Sequence, residues 1–181
     1  MVFSSHIFLF YFLPVCLAVY YLLPNRFRNL FLTIASYCFY GWWKPWFVTL
    51  MMTSTIVDYV AGRIMSAEGA SPGRRKLALL LSLCTNLGLL GVFKYAMFAQ
   101  ENLNALFQLM GSGGFDIIRI TLPIGISFYT FQTMSYSIDV YRKQAQPVRH
   151  FVDFSCFVAL FPQLIAGPIV RYRPIATLLE V

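Results

Sequence analysis

Apolar residues run along this chain in long blocks, and polar residues gather between the blocks or return singly inside them. Blocks near residues 7–24, 28–43, 46–65, 77–99 and 121–141 approach the roughly 20 residues that a helix needs to cross a hydrocarbon core about 30 Å thick. A sixth run, 151–170, is less regular. Helix is the expected conformation throughout, because an open sheet leaves its edge amides without partners in lipid. The cuts carry turn chemistry: Pro24-Asn25, Lys44-Pro45, SAEGASPGRR at 66–75, GSGG at 111–114 and KQAQP at 143–147. The pattern predicts one all-α polytopic membrane domain over residues 1–181, a bundle of about five spanning helices plus a broken segment. It shows no internal repeat and no long low-complexity tract.

The sixth run reads FVDFSCFVALFPQLIAGPIV. Pro162 and the Gly167-Pro168 pair interrupt a helix through a lost donor and ring clashes, and glycine permits sharp backbone angles. A re-entrant segment is expected, and at membrane depth such a backbone must be buried in protein or line a wet cavity. ENLNALFQLM at 101–110 reads as a short amphipathic helix lying along the outer surface. YGWWKPWF at 40–47 places Trp42, Trp43 and Trp46 beside Lys44, the pattern of an interfacial aromatic belt; a stacking platform for a sugar is the functional alternative.

Composition agrees with a membrane solvent. Hydrophobic residues make up 59% of the chain and charged residues 12%, with a mean hydropathy of +0.66, against about 25% charged in soluble domains. No basic residue precedes the first apolar run and no small-residue cleavage site follows it, so a cleaved signal peptide is not expected. Cys16, Cys38, Cys84 and Cys156 sit far apart inside apolar runs, as small hydrophobes rather than metal ligands or disulfide partners. The net charge of +7 does not point to nucleic acid, because the basic residues fall at the ends of apolar runs rather than on one soluble face.

Their placement sets an orientation. Arg26 and Arg28, then Arg63, Arg74, Arg75 and Lys76, then Arg142, Lys143 and Arg149 occupy alternate connections, while the opposite connections hold Lys44, Lys94 and Arg119. The positive-inside rule places the N-terminus outside the cytoplasm and the loops near residues 26, 70 and 145 within it. Arg171 and Arg173 join that side if residues 151–170 enter the membrane and turn back.

Several polar groups lie inside the apolar blocks. Gln132, Ser135, Asp139 and Arg142 are spaced three and four apart and share one helical stripe. They either tie helices together or line a pathway, since ionisable groups within membranes are rare and often functional. Asp139 can also pair with Arg142 at i,i+3 near the boundary. Asp58 lies deeper, in MMTSTIVDYVAGRIM, with Thr55 and Gly62 on its face, and reads first as a structural partner. His6 precedes the first span. His150 and Asp153 can meet at i,i+3 as an oriented base, or His150 can simply head a helix. No phosphate-binding glycine loop and no metal cluster is present in the sequence.

SYCFYGWWKPWF, STIVDYVAGRIM, LPIGISFYTFQTMSYSIDVYR and FPQLIAGPIVRY, in this order, closely resemble the membrane-bound O-acyltransferase family, nearest to its branch acting on exported bacterial polysaccharides such as alginate. The resemblance covers the whole chain and the N-terminal part of the family's usual length. It implies a many-helix ring around a funnel, through which an acyl group passes from a cytoplasmic donor toward an acceptor on the other face. Gln132, Ser135, Tyr136, Asp139, Pro162, Gln163, Gly167 and Pro168 would then line that tunnel. Acetyl-CoA would be the donor substrate, with no bound cofactor. Periplasmic acetyltransferase partners and the exopolysaccharide machinery would join the lipid bilayer as partners, in a bacterial inner membrane.

The family's reaction uses a buried histidine downstream of the stretch matching FPQLIAGPIVRY, beyond Val181, and neither His6 nor His150 matches it. The resemblance therefore implies a truncated enzyme, inactive alone. A D-alanyl transfer protein of teichoic acid modification is the nearest rival. A transporter or channel built on the broken helix and Asp58, and a scaffold for other membrane subunits, are the rivals outside enzymes.

Overall fold

The computed structural model describes residues 6–42, 44–111 and 115–166, and every described element is helical. A π-helical stretch, Phe8–Phe12, leads into α1 (Leu13–Leu22). α2 (Asn25–Gly41) follows Pro24, and α3 (Trp46–Met65) follows Pro45. α4 (Pro72–Leu90) starts at Ser71, whose side chain accepts from the Arg74 amide at 3.3 Å, with Pro72 in the first turn where a missing donor is harmless.

α4 does not stop where the sequence pattern suggests. A π-helical stretch, Gly91–Tyr95, carries it into α5 (Ala96–Leu109), giving one helix of 38 residues from Pro72 to Leu109. At 1.5 Å per residue it is about 57 Å long. The helix expected at 101–110 is thus the end of a longer rod, because no proline or turn sequence separates it from the block before. This rod is the one described helix that is both long and apolar enough to cross a membrane by itself, while Phe8–Leu22 is apolar but shorter.

After an extended stretch, α6 (Ile126–Tyr141) begins later than the apolar pattern does. Gly125 stands before it at φ +75°, a left-handed conformation that glycine adopts without strain. α7 (Phe151–Ala159) and α8 (Phe161–Ala166) form the irregular sixth run. The break lies at the extended Leu160 (φ −54°, ψ 109°). Pro162 therefore opens a helix instead of interrupting one.

Hydrogen bonds sort the helix ends into two groups. At one end Tyr59 Oη donates to the Arg149 carbonyl (2.8 Å), Arg75 Nη2 to the Tyr141 carbonyl (3.0 Å) and Asn29 Nδ2 to Asp153 Oδ1 (2.8 Å). The loops near residues 26, 70 and 145 therefore gather together, as the charge alternation requires. At the other end Lys44 Nζ donates to Thr121 Oγ1 (2.9 Å), and Phe161 packs among Phe8, Phe12 and Phe39.

α7 and α8 run antiparallel to α6. The Tyr136 and Phe154 rings lie 4.5 Å apart, Gln132 Nε2 donates to the Phe157 carbonyl at 2.7 Å, and Leu164 abuts Gly125. The segment expected to be re-entrant reaches the level of the far end of α6 by Leu164. Gly167, Pro168 and any return toward Arg173 lie outside the described residues.

Six consecutive residues of α7, Phe154 through Ala159, are buried, so this helix sits inside the bundle against α2, α3 and α6. The outer surface carries Phe10, Val15, Ile34, Ile56, Leu80, Leu81 and many similar side chains. Trp42 and Trp46 are 70% and 68% exposed. An apolar exterior around a polar-containing interior is the arrangement suited to lipid rather than water.

Candidate functional site

The most developed polar site lies where α3, α4 and α6 meet, and Asp58 is its centre. Asp58 is fully buried. Asn86 Nδ2 donates to both of its carboxyl oxygens, at 2.9 and 2.8 Å, and Ser82 Oγ approaches Oδ1 at 2.5 Å. Ser82 also meets Ser137 Oγ on α6 at 2.8 Å. The Asn86 carbonyl oxygen accepts from Ser54 Oγ (2.7 Å) and Thr133 Oγ1 (3.1 Å). A second Asn86 hydrogen reaches the Ser82 carbonyl at 3.0 Å.

The spacing explains the assembly. Ser54 and Asp58 stand four apart on α3, Ser82 and Asn86 four apart on α4, and Thr133 and Ser137 four apart on α6, so each helix turns one polar pair inward. Among the described residues no cationic side chain touches Asp58. Its partners are hydroxyls and an amide, which satisfy a buried carboxyl group without a second charge. Asp58 was visible in the sequence. Ser82, Asn86, Thr133 and Ser137 were missed, although their repeated i,i+4 spacing within apolar helices was the available signal.

A second group of polar atoms lies along α2, α6, α7 and α8. The Tyr40 and Tyr129 hydroxyls are buried beside each other and the Ser155 hydroxyl beside Tyr37, while Thr130 Oγ1 and Gln163 Nε2 are buried without a hydrogen bond. Such groups are costly in a dry interior, at about 1–3 kcal/mol each.

The expected α6 stripe divides. Gln132 is buried and bonded to α7, and Tyr136 is buried beside Phe154 and Gly62. Ser135 is half-buried and donates to the Gln132 carbonyl (2.8 Å), while Arg142 is exposed. The Asp139–Arg142 ion pair is not formed. Asp139 Oδ2 is buried without a partner, and the Asp139 carbonyl instead closes the end of α6 by accepting from Gln144 N (2.9 Å) and Ala145 N (3.3 Å). Pro162 is exposed and Gln163 half-buried. Thus Gln132 is the one residue of the stripe that is fully buried, with Tyr136 buried one turn along. A four-residue spacing fixes a helix face but not which neighbour covers it.

The histidines do not build a base. His150 is exposed at the head of α7, and Asp153 is engaged by Asn29. His6 is exposed beside Phe10. All four cysteines are free, with Cys16 and Cys156 buried and Cys38 and Cys84 exposed. Among the described residues no group of three or more His, Cys, Asp or Glu side chains could hold a metal.

Comparison with known proteins gives this architecture a lineage. The chain is 47% identical over 176 residues to a probable alginate O-acetylase of Pseudomonas syringae pv. tomato, covering 97% of the chain and 34% of the relative. It is 48% identical over 173 residues to a probable alginate O-acetylase of Azotobacter vinelandii, covering 96% and 35%. The chain belongs to the membrane-bound O-acyltransferase family. A peptidoglycan O-acetyltransferase of Helicobacter pylori is a more distant member, 33% identical over 202 residues, covering 95% of the chain and 37% of the relative. The chain spans about a third of the length of these curated relatives. No family model matches the chain, and no solved structure does. Within the family, the polar junction at Asp58 and the enclosed α7 belong to the part that this chain represents.

Proposed function

We propose that this chain forms one wall of the acyl passage in a bacterial inner-membrane O-acetyltransferase that modifies an exported polysaccharide of the alginate type. The observation that carries this reading is the 47–48% identity to probable alginate O-acetylases across nearly the whole chain. The enclosed α7 and the buried polar side chains that α2, α6, α7 and α8 turn toward one another support a passage beside α7. In this reading acetyl-CoA supplies the acetyl group from the cytoplasm, the N-terminus lies outside it, and a periplasmic acetyltransferase receives the group. His6 and His150, both exposed, do not supply the base. Gln132 and Tyr136 shape the passage.

The test is a chimera in which this chain replaces the corresponding third of a Pseudomonas relative, expressed in a strain lacking its own alginate O-acetylase. Base-labile acetate on exported alginate should return with the chimera and not with the chain alone. The match to the peptidoglycan O-acetyltransferase favours a second reading, in which the acceptor is peptidoglycan. Acetate appearing on peptidoglycan but not on alginate would select it. Acetate on neither polymer would remove the O-acetyltransferase reading.

A further inference from the structure

We propose that the cavity between the α3–α4 turn and the α6–α7 turn binds a phosphate ester. This cavity has a volume of about 360 Å³ and opens at the basic end of the bundle, within the range of small-ligand pockets. Met65 and Val140, both buried, line it together with Ser66, Gly69, Arg75 and Lys143. It lies outside the Asp58 junction and stands apart from the acyl-passage reading.

Two cations line the cavity, Arg75 fixed through its side chain and Lys143 through its backbone. Arg75 is anchored by its Nη2 bond to the Tyr141 carbonyl and lies 5.7 Å from the Tyr141 ring centroid. A guanidinium fixed in this way on a cavity wall is a planar cation of the kind that fits phosphoryl oxygens. Lys143 occupies a left-handed conformation at φ +58°, where the chain reverses after α6. Lys143 N donates to the Val140 carbonyl at 3.0 Å and Gln144 N to the Asp139 carbonyl at 2.9 Å, the helix-ending arrangement that usually places glycine at this position. A lysine kept there against its conformational preference, on a cavity wall, is the strained residue expected at a binding site.

The surrounding field has the right sign. Arg26, Arg28, Arg63, Arg74, Arg75, Lys76, Arg142, Lys143 and Arg149 share this end with Glu68, Asp139 and Asp153. Asp153 is already engaged by Asn29. A concave site under such an excess of positive charge concentrates anions. The phosphate can come from a soluble molecule or from an anionic lipid headgroup.

The experiment measures saturable binding of radiolabelled pyrophosphate to the protein in phosphatidylcholine nanodiscs. In parallel, it measures retention of phosphatidylglycerol from mixed nanodiscs. Either probe should bind, and Lys143→Gly should weaken binding about tenfold, as expected for losing one charged hydrogen bond. Because glycine suits a left-handed position, this variant must keep the wild-type melting temperature or exceed it, so a binding loss cannot be laid to misfolding. Arg75→Gln should behave likewise in binding, while Arg74→Gln, exposed on the same turn and outside the cavity lining, should not. Response of pyrophosphate alone assigns a soluble ligand, response of phosphatidylglycerol alone assigns a lipid, and response of both leaves the phosphate chemistry established. Binding of neither probe, survival of binding in Lys143→Gly, or equal loss in Arg74→Gln overturns the site.

Discussion

Replacing Asp58 by alanine tests whether the polar junction holds α3, α4 and α6 together. The substitution strips two groups at once, the Asn86 amide, bonded at 2.8 and 2.9 Å, and the Ser82 hydroxyl. Each stripped buried group costs about 1–3 kcal/mol, which gives an upper range of about 2–6 kcal/mol. Chains unfolded within a bilayer or micelle find other partners, and interhelical hydrogen bonds there are worth nearer 0.6–2 kcal/mol each. The expected loss is therefore about 1–4 kcal/mol. Asn86→Ala should cost a similar amount, since it releases Asp58, Ser54 and Thr133 together. Asp58→Asn should cost less than Asp58→Ala, because one oxygen still accepts from Ser82 or Asn86. The assay is equilibrium unfolding of the purified protein in mixed micelles for wild type, both alanine variants and the double variant. A shared network requires the double variant to lose about 1 kcal/mol or more less than the two single losses combined. Strict additivity, or a loss below about 0.5 kcal/mol for Asp58→Ala, would refute the reasoning.

Gly62→Ala should lower the melting temperature sharply, since a methyl group there collides with the Tyr136 phenol; overpacking of this kind costs about 1–3 kcal/mol. Tyr136→Phe should recover part of that loss by removing the nearest atom, and no recovery would place the strain elsewhere. Gly125→Ala should destabilise by about 1–2 kcal/mol from its left-handed backbone alone, with a further penalty because the new Cβ lies 2.9 Å from the Leu164 carbonyl oxygen; thermal unfolding reads both. Single cysteines placed at Gln144 and Thr121, in a variant lacking Cys38 and Cys84, should react with a membrane-impermeant maleimide from opposite sides. Labelling of Gln144 from the periplasm would reverse the proposed orientation.

The helical class and the gathering of the basic loops were legible because hydropathy and charge act locally, each residue reporting on its own solvent. The later start of α6 was not, since Leu122 and Ile124 are apolar while the conformation of Gly125 decides where the helix begins. The junction was only half visible. Asp58 stands out as a lone carboxylate, but Ser82, Asn86, Thr133 and Ser137 are common in membrane helices, and their importance depends on which helices become neighbours. The break at Leu160 shows the same limit. Pro162 marks a boundary, and the backbone places the extended residue two positions ahead of it, where the ring then fits the first turn of the next helix.

The enclosure of α7 bears on biogenesis. A helix of nine residues, about 14 Å long, is too short to be released into lipid by the insertion machinery as an independent unit. Its place depends on its neighbours: it pairs back against α6 and fills the cleft between α2 and α3. Its register is thus set by the walls of the cleft and not by lipid, so enlarging any of Phe154–Ala159 displaces three neighbours at once.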